Sequence, residues 1–102
     1  MSLPDEPIFS RSEVAKILNV TPLTIANREK ANKYPPPQRD VNNYRVYSIN
    51  DVLNLQVITF RLVDQRPIIS VLYDKGYKDF GVISKMMDTA MNRRTGANVA
   101  RG

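Results

Sequence analysis

Apolar residues recur at helical spacing in several stretches of the chain, and polar or proline-containing segments separate these stretches. In the first stretch, Val14, Ile17 and Leu18 fall on one face of a helix. Ser10 and Glu13 stand three residues apart at its start, which is the spacing of a capping box. The pattern predicts a first helix of about two turns.

A second helix is predicted immediately after a sharp stop. Asn19 is a residue type that tolerates the left-handed conformation in which helices often end. Thr21 followed by Pro22 is a start signal, because threonine caps a helix and proline suits its first position. The helix is expected to run to about Asn32, before the three prolines at 35–37, since proline excludes the preceding residue from the helix.

A small β-hairpin is predicted after the prolines. Residues 38–43 are polar, and residues 44–47 alternate in the manner of a short strand. Asn42 and Asn43 provide the residue types of a turn.

Three further helices complete the predicted fold, which is mainly α. Ser48 and Asp51 repeat the capping-box spacing and begin a helix that runs to about Val63. A short helix is expected from Pro67 to about residue 76, and another over residues 80–92. The expected core consists of Phe9, Val14, Ile17, Leu18, Val20, Ile25, Val52, Leu55 and Ile58.

The last predicted helix carries an apolar stripe with two possible roles. Methionine adapts to irregular surfaces, so the stripe could close the core or form a contact between subunits. We expect residues 9–92 to form the domain, residues 1–8 a flexible arm and residues 93–102 a disordered basic tail. The stripe consists of Val82, Ile83, Met86, Met87, Ala90 and Met91.

Composition narrows the possible functions. The 102 residues suit one domain, and 15 Lys and Arg against 10 Asp and Glu give a net charge of +5, which favours polyanionic partners. The chain has no Cys and no His, which excludes disulfides, thiol or imidazole catalysis and the usual zinc site. We expect no cofactor, no membrane contact and a cytoplasmic location, because no long apolar run or signal peptide is found.

Two helices joined by a tight turn form the arrangement in which a second helix enters a DNA major groove. Ala15 is small at the point where the helices must cross, and Ile25 is placed to lock the second helix against the first. An ordinary αα-hairpin would match the same spacing. The helix pair alone therefore leaves both interpretations open.

Several motifs occur together in the order found in one family. LNVTPLTI at residues 18–25, Glu29, the prolines, YRVYS at residues 44–48 and DV at residues 51–52 resemble the winged helix-turn-helix of the MerR superfamily. The resemblance covers about residues 9–63. The segment YPPP at residues 34–37 is also similar to phage excisionases and to the DNA-binding region of some plasmid partition ATPases.

The resemblance implies that the hairpin at residues 38–47 is the wing of a winged helix-turn-helix. It also implies that helix two lies in the major groove and that the wing reaches the neighbouring backbone or minor groove. Tyr44 and Arg45 match the family's wing pattern. Helix two departs from the family, because Ala26 stands where MerR regulators often carry arginine and Asn27-Arg28 replace an aromatic pair. The base contacts therefore cannot be copied from the family.

Residue chemistry suggests contacts to duplex DNA instead. Asn27 could read an adenine edge, Leu23 or Ala26 could pack on a thymine methyl group, and residues 28–45 carry a net charge of +3. Threonines 21 and 24 could bond phosphate or base, and Arg28 or Lys30 phosphate or guanine. The expected DNA-binding residues are Thr21, Pro22, Leu23, Thr24, Ala26, Asn27, Arg28, Lys30, Lys33, Arg39, Asn42, Asn43, Tyr44 and Arg45.

The sequence thus predicts a non-enzymatic, sequence-specific DNA-binding protein that acts as a transcriptional regulator or architectural factor. The alternatives are a plasmid or phage segregation or recombination accessory that assembles on repeated sites, the N-terminal fragment of a partition ATPase, and a protein-only interaction module. No Walker-type glycine loop occurs. We expect a homo-oligomer, at least on DNA, because one short helix and one wing cover few base pairs. No small-molecule effector is evident.

Overall fold

The computed structural model describes residues 6–101, with side chains through residue 92, and folds them into five helices and a small sheet. The mainly α fold class with a β-hairpin wing and additional C-terminal helices is confirmed. The elements are β1 (Ile8–Phe9), α1 (Arg11–Leu18), α2 (Pro22–Lys30), β2 (Gln38–Arg39), β3 (Arg45–Ser48), α3 (Ile49–Phe60), α4 (Gln65–Asp74) and α5 (Phe80–Arg101).

Local capping signals set the starts of the first three helices. Ser10 and Glu13 form the predicted capping box of α1, and Ser48 and Asp51 form that of α3. Thr21 caps α2 by accepting a hydrogen bond from the backbone N–H of residue 24. Each cap satisfies backbone donors that a helix start leaves without a partner in the helix. The sequence therefore locates these starts correctly.

Helix ends differ from the predictions by a few residues. Asn19 ends α1 in the left-handed region, with φ 59° and ψ 44°, as predicted. α2 stops at Lys30 and α3 at Phe60, where Arg61 adopts a left-handed conformation with φ 63°. α4 begins two residues before Pro67, because Asp64 provides an earlier cap.

The sheet contains one strand that the sequence does not predict. Its order is β1-β3-β2, and both pairs are antiparallel. Pro7 is buried, and Ile8, although 48% exposed, pairs with Ser48 in the sheet, so the last two residues of the predicted arm contact the fold. β1 has only two residues, too few for an alternating pattern, and it depends on β3 for its pairing. Residues 1–5 of the predicted arm lie outside the described residues.

Most of the predicted core is buried. The exceptions are Val20, which is half-buried, and Ile58, which is 43% exposed. Ile58 lies about 200° around the helix from the buried Gln56, so it points away from the core. Gln56 occupies the inward position because its amide bonds the backbone N–H and carbonyl of Asp64, at 3.2 Å and 2.7 Å.

The apolar stripe of α5 contributes to the core. Ile83, Met87 and Ala90 are buried, whereas Val82 remains 44% exposed. The backbone of α5 is helical through Arg101, so the structure differs from the disordered tail that composition predicts from residue 93. No proline follows Pro67, so nothing in the sequence removes a backbone donor from this helix.

An ion pair ties α1 to α4 across 62 residues of sequence. Lys75 Nζ lies 2.9 Å from Glu13 Oε2 and 5.8 Å from the centroid of the Phe9 ring. Burial by itself raises the pKa of Glu13, but bonds from Ser10 and Lys75 outweigh this effect and hold the pKa below its ordinary value. Glu13 therefore serves both as a cap residue and as an anion for the neighbouring helix.

None of the helices within the described part of the chain is long and apolar enough to cross a membrane.

Replacing Ile25 with alanine should lower the free energy of unfolding by about 2–5 kcal/mol, because its side chain is fully buried between α2 and the core. Ile58→Ala is the matched control, since the same atoms are removed from a partly exposed position, and it should cost about 1 kcal/mol or less. Urea denaturation followed by circular dichroism measures both. If both substitutions lowered the free energy of unfolding equally, the packing of α2 against the core through Ile25 would be contradicted.

Candidate nucleic-acid interface

α2 packs against the protein by one side and exposes the other. Among its nine residues, all of which the structure describes, only Ile25 is buried. Leu23 is 68% exposed, and Asn27 and Lys30 are also exposed. Because residues four and three apart lie on the same face of a helix, these three side chains form one exposed stripe, which we call the α2 stripe.

The N-terminus of α2 is held by its own hydroxyl groups. Thr21 Oγ1 accepts a hydrogen bond from Thr24 N–H at 3.1 Å and lies 2.9 Å from Thr24 Oγ1. Pro22 occupies the first turn, where it removes no helical hydrogen bond. The two predicted DNA-contacting threonines are therefore already paired with each other, and Ala26 beside them is half-buried.

Arg28, a predicted DNA contact, is engaged within the protein. Its Nη1 donates to the Tyr34 hydroxyl at 2.7 Å, and its guanidinium lies 5.5 Å from the centroid of the Tyr34 ring. Tyr34 is buried, and its hydroxyl also bonds Thr59 on α3. This chain of contacts fastens the C-terminal turn of α2 to α3 and to the segment before the prolines.

A single carboxylate joins α1, α2 and the wing strand β3. Glu29 has a side chain that is only 11% exposed, and its Oε1 lies 2.7 Å from Arg11 Nη2 and 3.8 Å from Arg45 Nε. Its Oε2 accepts a hydrogen bond from the Tyr47 hydroxyl. We call these four side chains the Glu29 cluster. The cluster sets the position of α2 relative to the wing.

Tyr47 is the neutral donor of the Glu29 cluster. Burial, together with the bond to Glu29, raises the pKa of Tyr47 to about 12. The hydroxyl therefore keeps its proton at neutral pH and remains a hydrogen-bond donor to the carboxylate.

The wing brings five predicted site residues together on one exposed hairpin. Arg39 and Arg45 are paired across β2 and β3, and Arg39 Nη1 donates to the Asn43 carbonyl at 3.1 Å. Tyr44 is exposed, and Asn42 and Asn43 lie in the turn. Lys33 is exposed in the segment between α2 and the wing. The exposed cations thus follow one path from α2 to the wing.

Sequence reasoning missed the Glu29 cluster as a structural unit. Arg11 is 18 residues away from Glu29 along the chain, and so is Tyr47, so no local pattern connects them. One feature of the sequence could have indicated the cluster: Glu29 is one of only two acidic residues in the basic segment 28–45. A lone carboxylate in such a segment favours pairing with a cation.

The described residues contain no group of three or more His, Cys, Asp or Glu side chains that could hold a metal ion.

Comparison with known proteins identifies one family. The family model described as MerR HTH family regulatory protein matches residues 9–62, slightly more than half of the chain. The matched segment contains α1, α2, the wing and α3. No curated protein and no solved structure matches the chain.

Replacing Glu29 with glutamine should lower the free energy of unfolding by about 1–3 kcal/mol, because the cluster keeps its shape but loses the anion that faces Arg11. Asp64→Asn is the control, since asparagine can still cap α4 and only the anion of the solvent-accessible pair with Arg66 is lost, so it should have little measurable effect. Urea denaturation measures both. A Glu29→Gln protein as stable as the control would show that the carboxylate does not fix α2.

Proposed function

The chain belongs to the MerR family of helix-turn-helix regulatory proteins, and from this premise we propose that it binds duplex DNA sequence-specifically as a transcriptional regulator or architectural factor. The helix-turn-helix of this family is a DNA-binding domain and is typically non-enzymatic. The observation that carries the proposal is the exposed α2 stripe, held in fixed relation to a cationic wing by Glu29.

The α2 stripe supplies side chains suited to base edges in the major groove. Asn27 has both a donor and an acceptor, which match the N6 and N7 positions of adenine. Leu23 presents an apolar surface for a thymine methyl group, and Lys30 is a donor for guanine or phosphate. Because the Glu29 cluster and Tyr34 contact the side of α2 that faces the protein and fix its position, these DNA contacts require little rearrangement of the protein.

The wing and the segment before it supply phosphate contacts. Lys33, Arg39 and Arg45 are exposed cations, and Tyr44 adds a hydroxyl donor. Such contacts position a protein on DNA and make its affinity fall with salt, without reading the sequence. Arg28 acts indirectly in this proposal, by fastening α2 through Tyr34.

A second candidate is a segregation or recombination accessory that assembles along repeated sites. It is favoured by the proline-rich turn at residues 35–37 and by the length of α5, which has 22 residues. Footprinting separates the two candidates, because a regulator protects one operator-sized site, whereas assembly coats DNA cooperatively beyond it.

Selection of bound sequences from a random duplex pool at increasing salt tests the proposed function. A recurrent motif is expected, with the logarithm of affinity falling linearly with the logarithm of salt concentration. A protein with no salt-sensitive affinity for duplex DNA would instead favour a protein-only interaction module.

At least two protomers should occupy each selected site, because one short recognition helix and one wing cover few base pairs. The subunit contact is proposed to involve the part of α5 that the core leaves exposed, including Val82. Light scattering on the complex with the selected duplex gives the number of protomers. One protomer per site would exclude this assembly.

Arg45→Ala and Asn27→Ala should weaken DNA binding in different ways. Loss of Arg45 should reduce affinity similarly for all sequences and lower the slope of log affinity against log salt concentration by about one, because a phosphate contact is removed. The position of α2 should be kept, since Arg11 at 2.7 Å and the Tyr47 hydroxyl still pair with Glu29, whereas Arg45 lies 3.8 Å away. Loss of Asn27 should cost about 1–3 kcal/mol, mainly at the selected site. Arg66→Ala on α4 is the matched arginine control, and it should change neither the affinity for DNA nor the dependence of that affinity on salt.

Fluorescence anisotropy with the selected duplex and a random duplex, each over a salt series, separates these effects. If Asn27→Ala lost equal affinity for both duplexes, its role in base recognition would be refuted.

A further inference from the structure

The tip of the wing carries an apolar side chain that is completely exposed. Val41 has a relative exposure of 100%. Single exposed apolar residues are common on protein surfaces, so exposure alone does not indicate a site. Val41 differs in its surroundings, because it lies in a hydrogen-bonded turn between two cationic strands.

Hydrogen bonds hold the turn around Val41 on both sides. The Asp40 N–H donates to the Tyr44 carbonyl at 3.0 Å, and the Asn43 N–H donates to the Asp40 carbonyl at 2.9 Å. Asp40 Oδ1 also accepts the backbone N–H groups of Asn42 and Tyr44, both at 2.9 Å. A β-branched side chain on such a turn has little conformational freedom left to lose on binding.

Cationic side chains lie on the two strands that flank this turn. Arg39 and Arg45 pair across the two strands of the wing, and both are exposed. Asp40 is the only acidic residue between positions 38 and 48, and two backbone donors already occupy its Oδ1. The wing therefore presents a narrow apolar tip followed by two guanidinium groups.

This arrangement fits the minor groove of DNA. The groove is about 6 Å wide, and phosphates of both strands border it. Apolar side chains that enter it pack on its floor and partly unstack base steps, while cations contact the adjacent phosphates. Guanine places an amino group on the groove floor and adenine does not, so an apolar tip finds more room at A·T pairs.

We propose that Val41 enters the minor groove beside the segment contacted by α2 and selects A·T pairs there by shape. This inference rests on the proposed function and adds a second, independent element of specificity to it. Arg39 and Arg45 then hold the wing by phosphate contacts, and Val41 is the residue that discriminates.

Base analogues separate the two grooves. Diaminopurine paired with thymine adds an amino group to the minor groove and keeps the major-groove edge of A·T, whereas inosine paired with cytosine keeps the minor-groove edge of A·T and changes the major-groove edge. Each pair replaces A·T in the part of the selected site that hydroxyl-radical footprinting assigns to the wing. Diaminopurine should weaken wild-type binding about fivefold or more, and inosine by about twofold or less.

Variants of Val41 test whether this residue carries the discrimination. Val41→Ala removes the two methyl groups that would meet the minor-groove amino group, so its affinities for the A·T and the diaminopurine·T duplexes should lie within about twofold of each other. Its salt slope should not change, because no cation is removed. Val41→Ile should keep the discrimination. Leu62→Ala, at an exposed apolar residue outside the wing, is the control and should behave as the wild type.

Each outcome decides the inference. Failure to select any site would overturn the proposed function and this inference together. A selected site at which inosine weakens binding more than diaminopurine, or at which Val41→Ala keeps the full discrimination, would overturn only the role of Val41. Melting temperatures verify that the variants are folded, and Val41→Ser provides a second small replacement if the alanine variant is not.

Discussion

The buried carboxylate of Glu29 is the interaction on which the arrangement of this domain depends. A charge with so little exposure is costly unless it is paired and hydrogen-bonded, and Glu29 is surrounded by Arg11, Arg45 and Tyr47. These partners come from α1 and from the wing strand β3. The requirement to satisfy one anion therefore fixes the distance and angle between helix and wing, which any rigid contact with a duplex needs.

One side of α2 packs against the rest of the protein, and the other side is exposed. Ile25, Arg28 and Glu29 follow helical spacing on the inner side, where they provide an apolar contact, a contact to Tyr34 and the anion of the cluster. Leu23 and Asn27 lie on the outer side and make no such contribution to the fold. The outer side chains thus contribute little to the fold, and substitutions there leave the position of the helix unchanged.

The C-terminal helices complete the core behind this unit. Ile68 and Leu72 of α4 and Ile83 and Met87 of α5 are buried. Most of the apolar stripe of α5 packs within the subunit, which leaves a small exposed remainder around Val82.

The sequence by itself determined the elements of this protein, because their signals are local. Ser10 with Glu13 and Thr21 with Pro22 act within four residues, so the helix starts, the tight turn and the exposed stripe were predictable. Only the tertiary structure decided that Arg28 points inward to Tyr34 and that residues 8 and 9 form a strand. It also decided that Glu29 pairs with Arg11 and Arg45, which lie 18 and 16 residues away in the sequence. These features depend on contacts between residues that are far apart in the sequence, and such contacts form only when the chain folds. No periodicity along the sequence specifies them.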